Sequence, residues 1–137
     1  MAYKGSDVKE VTINHPTVGS FSLFCKAGEG SNIDLGGIRK NDDKQGITGN
    51  GEIMVQQTQN RSSFELPPIA WDKSGKVLGK LVGLATSSDG STVTVSYFDG
   101  YIVVMQNGHP VGDIVGDGYV GTIPLTFHGD ANAKELV

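Results

Sequence analysis

Hydrophobic and polar residues alternate with a period of two along much of this chain, and that period predicts strands. Val8 to Ile13 puts Val11 and Ile13 on one face and Glu10 and Thr12 on the other, until His15-Pro16-Thr17 interrupts it. Ser20 to Cys25 alternates again, with Phe21, Leu23 and Cys25 inward. Phe24 then falls on the outer face, where it needs cover from another element or another chain. Ala27 to Ser31 reads as a turn, and Ile33-Asp34-Leu35 as a restarted strand loosened by Gly36-Gly37. Glu52 to Gln57 sets Ile53 and Val55 against Glu52, Met54 and Gln56. Ser63 to Leu66 is a further short strand, stopped by Pro67-Pro68.

One stretch breaks this rhythm. Between Arg39 and Gly51 only Ile47 asks for burial, over thirteen residues. A loop or hairpin of that length is usually functional or disordered. It carries Arg39, Lys40 and Lys44 beside Asp42 and Asp43, and mixed charge suits a contact that sets register with a neighbour.

A single helix is predicted, at about residues 73–86. Asp72 or Ser74 can cap it. Val77, Leu78, Leu81, Val82, Leu84 and Ala85 then form a broad apolar face. Gly75, Gly79 and Gly83 repeat along one edge, which predicts close packing of the helix backbone on a sheet. Beyond the helix, Asp99-Gly100, Asn107-Gly108 and Asp117-Gly118 each suit a tight hairpin turn. The intervening segments 93–97, 101–106, 111–115 and 119–127 make an antiparallel meander, with Ile123, Leu125 and Phe127 sharing a face. Pro124 cannot donate to a ladder, so one side of the last strand is left unpaired there. The fold class is mainly β: a two-sheet antiparallel sandwich or barrel with one flanking helix and a C-terminal meander. Residues 1–137 form a single domain, with residues 1–7 as a flexible arm.

Composition narrows the function. Twenty glycines, about twice the usual share of roughly 7%, fit short strands and many turns. Eleven Lys plus Arg against fifteen Asp plus Glu give a net charge of −4, without the basic balance of a general nucleic-acid binder. Cys25 stands alone, so no internal disulfide forms, and a free thiol fits a reducing compartment. The first residues lack the apolar run of a secretory signal, and no stretch approaches the ~18 apolar residues of a membrane span. The expectation is a soluble protein made and kept inside a cell until release.

Candidate chemistry is sparse. Asn41, Asp43, Gln45, Gly46 and Glu52 match the spacing of a calcium loop. The flanks alternate like strands, however, and Ile47 sits one position early, so the segment reads as a solvated loop. His15, His109 and His128 are not spaced as a metal pair. No nucleophile elbow, dinucleotide fingerprint or phosphate loop occurs. Trp71 stands beside the helix start, as a core or interface anchor more than a sugar platform. Neither a catalytic residue, a metal nor a cofactor is expected.

Three segments carry a resemblance. Asp99-Gly100-Tyr101, then Gly108-His109-Pro110-Val111-Gly112-Asp113, then Thr122-Ile123-Pro124-Leu125-Thr126-Phe127-His128-Gly129 follow in that order. The order resembles the end of bacteriophage tail tube proteins of contractile tails, where a Gly-x-Pro-Val-Gly-Asp turn precedes a strand closing in Thr-Phe-x-Gly. The likeness is pointed over residues 92–129 and architectural elsewhere.

The resemblance implies a two-sheet fold with a helix on its flank. Six copies form a ring whose inner strands join into one barrel, and rings stack into a tube that passes the genome. Type VI secretion tube proteins share the plan. It further implies self-association, a tail sheath partner, and baseplate or terminator partners. DNA would pass without specific binding, no membrane is involved, and the place is the virion tail after synthesis in the host cytoplasm. Arg39, Lys40, Asp42, Asp43, Lys44, Phe24 and Trp71 are then the expected subunit or inter-ring contacts. Glu10, Glu29, Asp34 and Glu52 are the candidates for a lumen that repels phosphate. The alternatives are another ring of such a device (a baseplate ring, a terminator or a secretion tube), a small β-sandwich that binds a ligand, and a hydrolase using Cys25 with a histidine.

Overall fold

Val11 and Ile13 are fully buried, and their neighbours Glu10 and Thr12 are not, so the two-residue period of the first segment becomes strand β1 (Val8–His15). The computed structural model describes residues 3–41 and 46–136. β1 pairs antiparallel with β2 (Gly19–Leu23) on one side and with β9 (Ser91–Tyr97) on the other. A buried His15 turns the chain between β1 and β2. Its Nδ1 accepts from the Thr17 and Val18 N–H groups, at 3.1 and 3.0 Å, which leaves Nε2–H to donate to the Asp89 carbonyl.

Beyond β9 lie β10 (Ile102–Pro110), β11 (Thr122–Gly129), β8 (Ser62–Ala70) and β3 (Asn32–Asp34), completing one large antiparallel sheet. The order is β2-β1-β9-β10-β11-β8-β3, with short β12 (Lys134–Glu135) on β10. That path is open at both ends, and no closed barrel forms among the described residues. The core gathers Phe64, Phe127, Ile69, Ile123, Val93, Val95, Val103 and Met105 from the sheet with Leu81 and Leu84 from the helix. The shared face predicted for Ile123, Leu125 and Phe127 is buried throughout. Within the N-terminal arm, Ser6 Oγ accepts from the Asp99 N–H and Asp7 Oδ1 from the Gly28 N–H.

Four sequence expectations need correction. Asn107-Gly108 is not a hairpin turn: β10 runs straight through it as a bulge, with Asn107 at φ 53° and the register slipping between Met105 and Gly108. The bulge lets the first half of β10 pair with β9 and its end pair with β11. Residues 111–115 are therefore an irregular connection, and the meander has one strand fewer than its turn signals suggested.

Pro67-Pro68 do not stop β8. They sit in a second bulge between Leu66 and Ile69, opposite Pro124, where no ladder donor is required. The helix α1 spans Val77–Thr86, starting later than expected. Asp72 does not cap it; its carboxylate accepts from the Gly75 N–H and the Ser74 hydroxyl and so closes the turn ahead of it. The glycine edge approaches the rest of the fold at Gly83, where a Cβ would stand 3.4 Å from Val18 Cγ2, but a Cβ on Gly79 would meet nothing, and Val82 on the expected apolar face is exposed.

The fourth correction concerns the segment after β3. β4 (Gly37–Lys40) pairs with β7 (Gln57–Asn60), and β5 (Gly46–Ile47) with β6 (Ile53–Met54). Arg39, Lys40 and Ile47 are thus strand residues of a two-stranded arm, while Asp42, Asp43, Lys44 and Gln45 lie outside the described residues. Ile53 and Val55, expected inward, are exposed because the arm has no core beneath it.

Candidate functional site

The arm is the most unusual surface of the molecule. Its described side chains include Ile38, Ile47, Ile53 and Met54, with 68%, 73%, 64% and 55% of their surface exposed, and Val55 is exposed beside them. Ile47 and Ile53 face each other across the β5–β6 pair. An isolated two-stranded hairpin is marginal in water, so an element of this shape gains most of its order from what covers it.

The arm leaves the sheet at a tight crossing. Gly36, at φ +77°, lies so close to the other leg that a Cβ there would stand 2.8 Å from the Asn60 carbonyl oxygen and the Ser62 nitrogen. Beside the crossing opens a polar cleft of about 470 Å³ lined by Asn32, Asp34, Arg39, Arg61, Ser63 and Glu65, among others. Arg39 forms an ion pair with Asp34, and the Gly36 N–H also donates to that carboxylate. The Arg39 hydrogen bond, helped by Gly36, holds the Asp34 carboxyl below its ordinary range.

A second apolar surface lies at the other end of β8, roughly 25 Å away at ~3.3 Å per strand residue. The Ala70 N–H donates to the Phe24 carbonyl and the Trp71 N–H to the Gly121 carbonyl, so Phe24 and the 115–121 loop flank the same strand end. Phe24 is 57% exposed and Tyr119 99%, and Val115 and Val120 are also exposed. Asp117 holds this loop, accepting from the Tyr119 and Val120 N–H groups. Trp71 is half-buried, with the Lys73 ammonium 4.7 Å from its ring centroid.

The predicted contact residues therefore separate into two places. Arg39 and Lys40 are on the arm, whereas Phe24 and Trp71 are at the far end of β8. The acidic candidates do not form one cluster. Glu10 accepts from Ser22 and Thr12 on β1–β2, Glu29 pairs with Lys26 in an exposed turn, Asp34 is bound to Arg39, and Glu52 sits at the arm tip accepting through its carbonyl from Thr48. Sequence reasoning missed Ile38, Val55, Tyr119 and Val120 as exposed apolar groups. The available signal was an apolar residue, Ile47, stranded among polar ones.

Cys25 bridges Ile69, and burial pushes its thiol up to about 11, away from the thiolate a nucleophile needs. Among the described residues no group of three or more His, Cys, Asp or Glu could hold a metal ion, and the calcium-like spacing includes Asp43 and Gln45, outside those residues. No protein-family model matches the chain, and no curated protein is significantly similar to it.

Proposed function

We propose that this chain is a structural subunit of a phage tail tube, assembling into six-membered rings that stack around a channel for DNA. The observation that carries the proposal is the arm: a two-stranded element with no core of its own that holds Ile38, Ile47, Ile53 and Met54 in solvent. A monomer gains nothing from that exposure, and several large apolar side chains held in solvent on one element suit a surface that another chain covers. Placed at the opposite end of β8 from Phe24, Tyr119 and Val120, the arm suits a head-to-tail contact, which propagates instead of closing on itself.

The open sheet adds support. β2 and β3 are its free edges, and exposed edges are liabilities that neighbouring copies can cover. In this reading the slipped register of β10 is the bend between two layers, and lateral joining of copies would supply the barrel that one chain lacks. The resemblance over residues 92–129 points the same way, and so does the net charge of −4, since phosphate contacts by Lys or Arg are what make DNA stick. In this reading sheath and baseplate or terminator proteins bind the outside and the ends.

A different reading has one observation in its favour. A groove of about 780 Å³ beside Tyr97, Tyr101, Ser31 and Lys4 is large enough for a small ligand. Negative-stain microscopy of the purified protein, with its mass in solution, decides between them. Hollow tubes or six-fold rings are expected. A monomer of about 14 kDa at high concentration would remove the assembly reading and turn attention to the groove.

A further inference from the structure

Arg61 is the one residue between the arm strand β7 and the sheet strand β8, so its position sets how the arm meets the body. Among the described residues its side chain pairs with no carboxylate. The Nε–H donates to Nδ1 of His128 at 2.8 Å, and Nη2 lies 3.3 Å from Nε2 of the same ring. An arginine cannot accept, and it is always charged. The contact therefore requires an unprotonated Nδ1 lone pair on His128. Protonation takes away that acceptor and sets two cations against each other at hydrogen-bond distance.

The contact is exposed, and its location ties it to the arm. His128 lies on β11 directly opposite Ser63 of β8 and His109 of β10. Ser63 in turn lies opposite Asp34 of β3. The Gly36 backbone is wedged against Arg61 and Asn60, so the two legs of the arm cross at the residue that holds His128. We propose that the Arg61–His128 hydrogen bond is an acid-released latch that fixes the β4–β7 ladder to the large sheet.

The charges around the ring favour release only in mild acid. Arg61 opposes protonation and Glu65, on β8, favours it, while partial burial holds the His128 pKa below the ordinary histidine value. His109 across the ladder is a further titratable neighbour. Asp130 is two residues on, with its carboxylate accepting from Asn107 and its carbonyl from Ser62. The Asp34 and Arg39 charges, one strand beyond Ser63, are spent on each other. Because the His128 pKa lies below the usual histidine midpoint of roughly 6.5, the latch is closed at and above that value and opens only on the acid side of it. The inference does not depend on what the arm docks against.

Hydrogen exchange read by mass spectrometry tests it on the full chain, with rates corrected for their intrinsic pH dependence. Peptides covering 37–40 and 57–60 are expected to lose protection about 3- to 10-fold between neutral and mildly acidic pH, the worth of one hydrogen bond. His128→Gln, which keeps an acceptor and cannot titrate there, should abolish that step. Arg61→Gln should give low protection at both pH values, and His109→Gln should leave the step in place. A flat wild-type response overturns the latch, as does a step that survives in His128→Gln or vanishes in His109→Gln.

Discussion

The indole of Trp71 occupies the space above Gly116: a Cβ on Gly116 would stand 2.8 Å from Trp71 Cζ3. The glycine is thus part of the seat that ties the 111–121 connection to the end of β8. Gly116→Ala should destabilise the fold by about 1–3 kcal/mol, the usual cost of overpacking. Trp71 is the chain's only tryptophan, so its fluorescence reports the seat directly. A red shift with a lower unfolding midpoint is the expected result, and an unchanged spectrum and midpoint would contradict the packing.

Gly79 is the converse case. It lies inside α1, and a Cβ there would meet nothing within 4 Å. Gly79→Ala should therefore stabilise the protein by about 0.5–1 kcal/mol, through helix propensity and a less free unfolded chain. Denaturant unfolding of the monomeric protein measures it. A destabilised variant would mean that the exposed side of the helix is packed in solution.

These two glycines show where the sequence was readable. Local periodicity located β1, β2, β9 and β11 and their buried faces, because one covered face imposes alternation. It failed at Asn107-Gly108, where turn chemistry and bulge chemistry ask for the same residues. Only the tertiary surroundings distinguish them: a Cβ on Gly108 would stand 2.9 Å from Val93 Cγ2, inside the core. Pro67-Pro68 misled for a related reason, since a proline ends a strand unless a bulge and a partner proline remove the need for its donor. The arm was legible as a long anomalous segment but not as paired strands, because its pairing has no buried face to enforce a pattern. His128 and Arg61, 67 positions apart, carried no local signal at all.

Cys25 offers a chemical check on the same packing. Its thiol is raised from 9.0 to about 11 by burial. The native state thus holds the proton more tightly than the unfolded chain does. The associated stability is present below the unfolded value and is lost as pH rises through the folded one. At pH 8 alkylation of the native thiol should be about 100-fold slower than in the denatured chain, from the two-unit difference in thiolate population. Equal rates would return Cys25 to the candidates for a reactive group.

The arm gives the sharpest test of assembly, because its apolar residues contribute so little to one chain. Ile47 and Ile53 face each other with 73% and 64% of their surface in solvent. Replacing both with serine should leave monomer stability within about 0.5 kcal/mol, as for other exposed positions. If a neighbour covers them, each loses about 1–2 kcal/mol of burial on assembly. Together that raises the critical concentration for rings or tubes roughly 30-fold or more. Sedimentation across a concentration series reads this directly, with thermal unfolding as the control. An unaltered critical concentration would move the contact away from the arm tip, toward the free edges of β2 and β3.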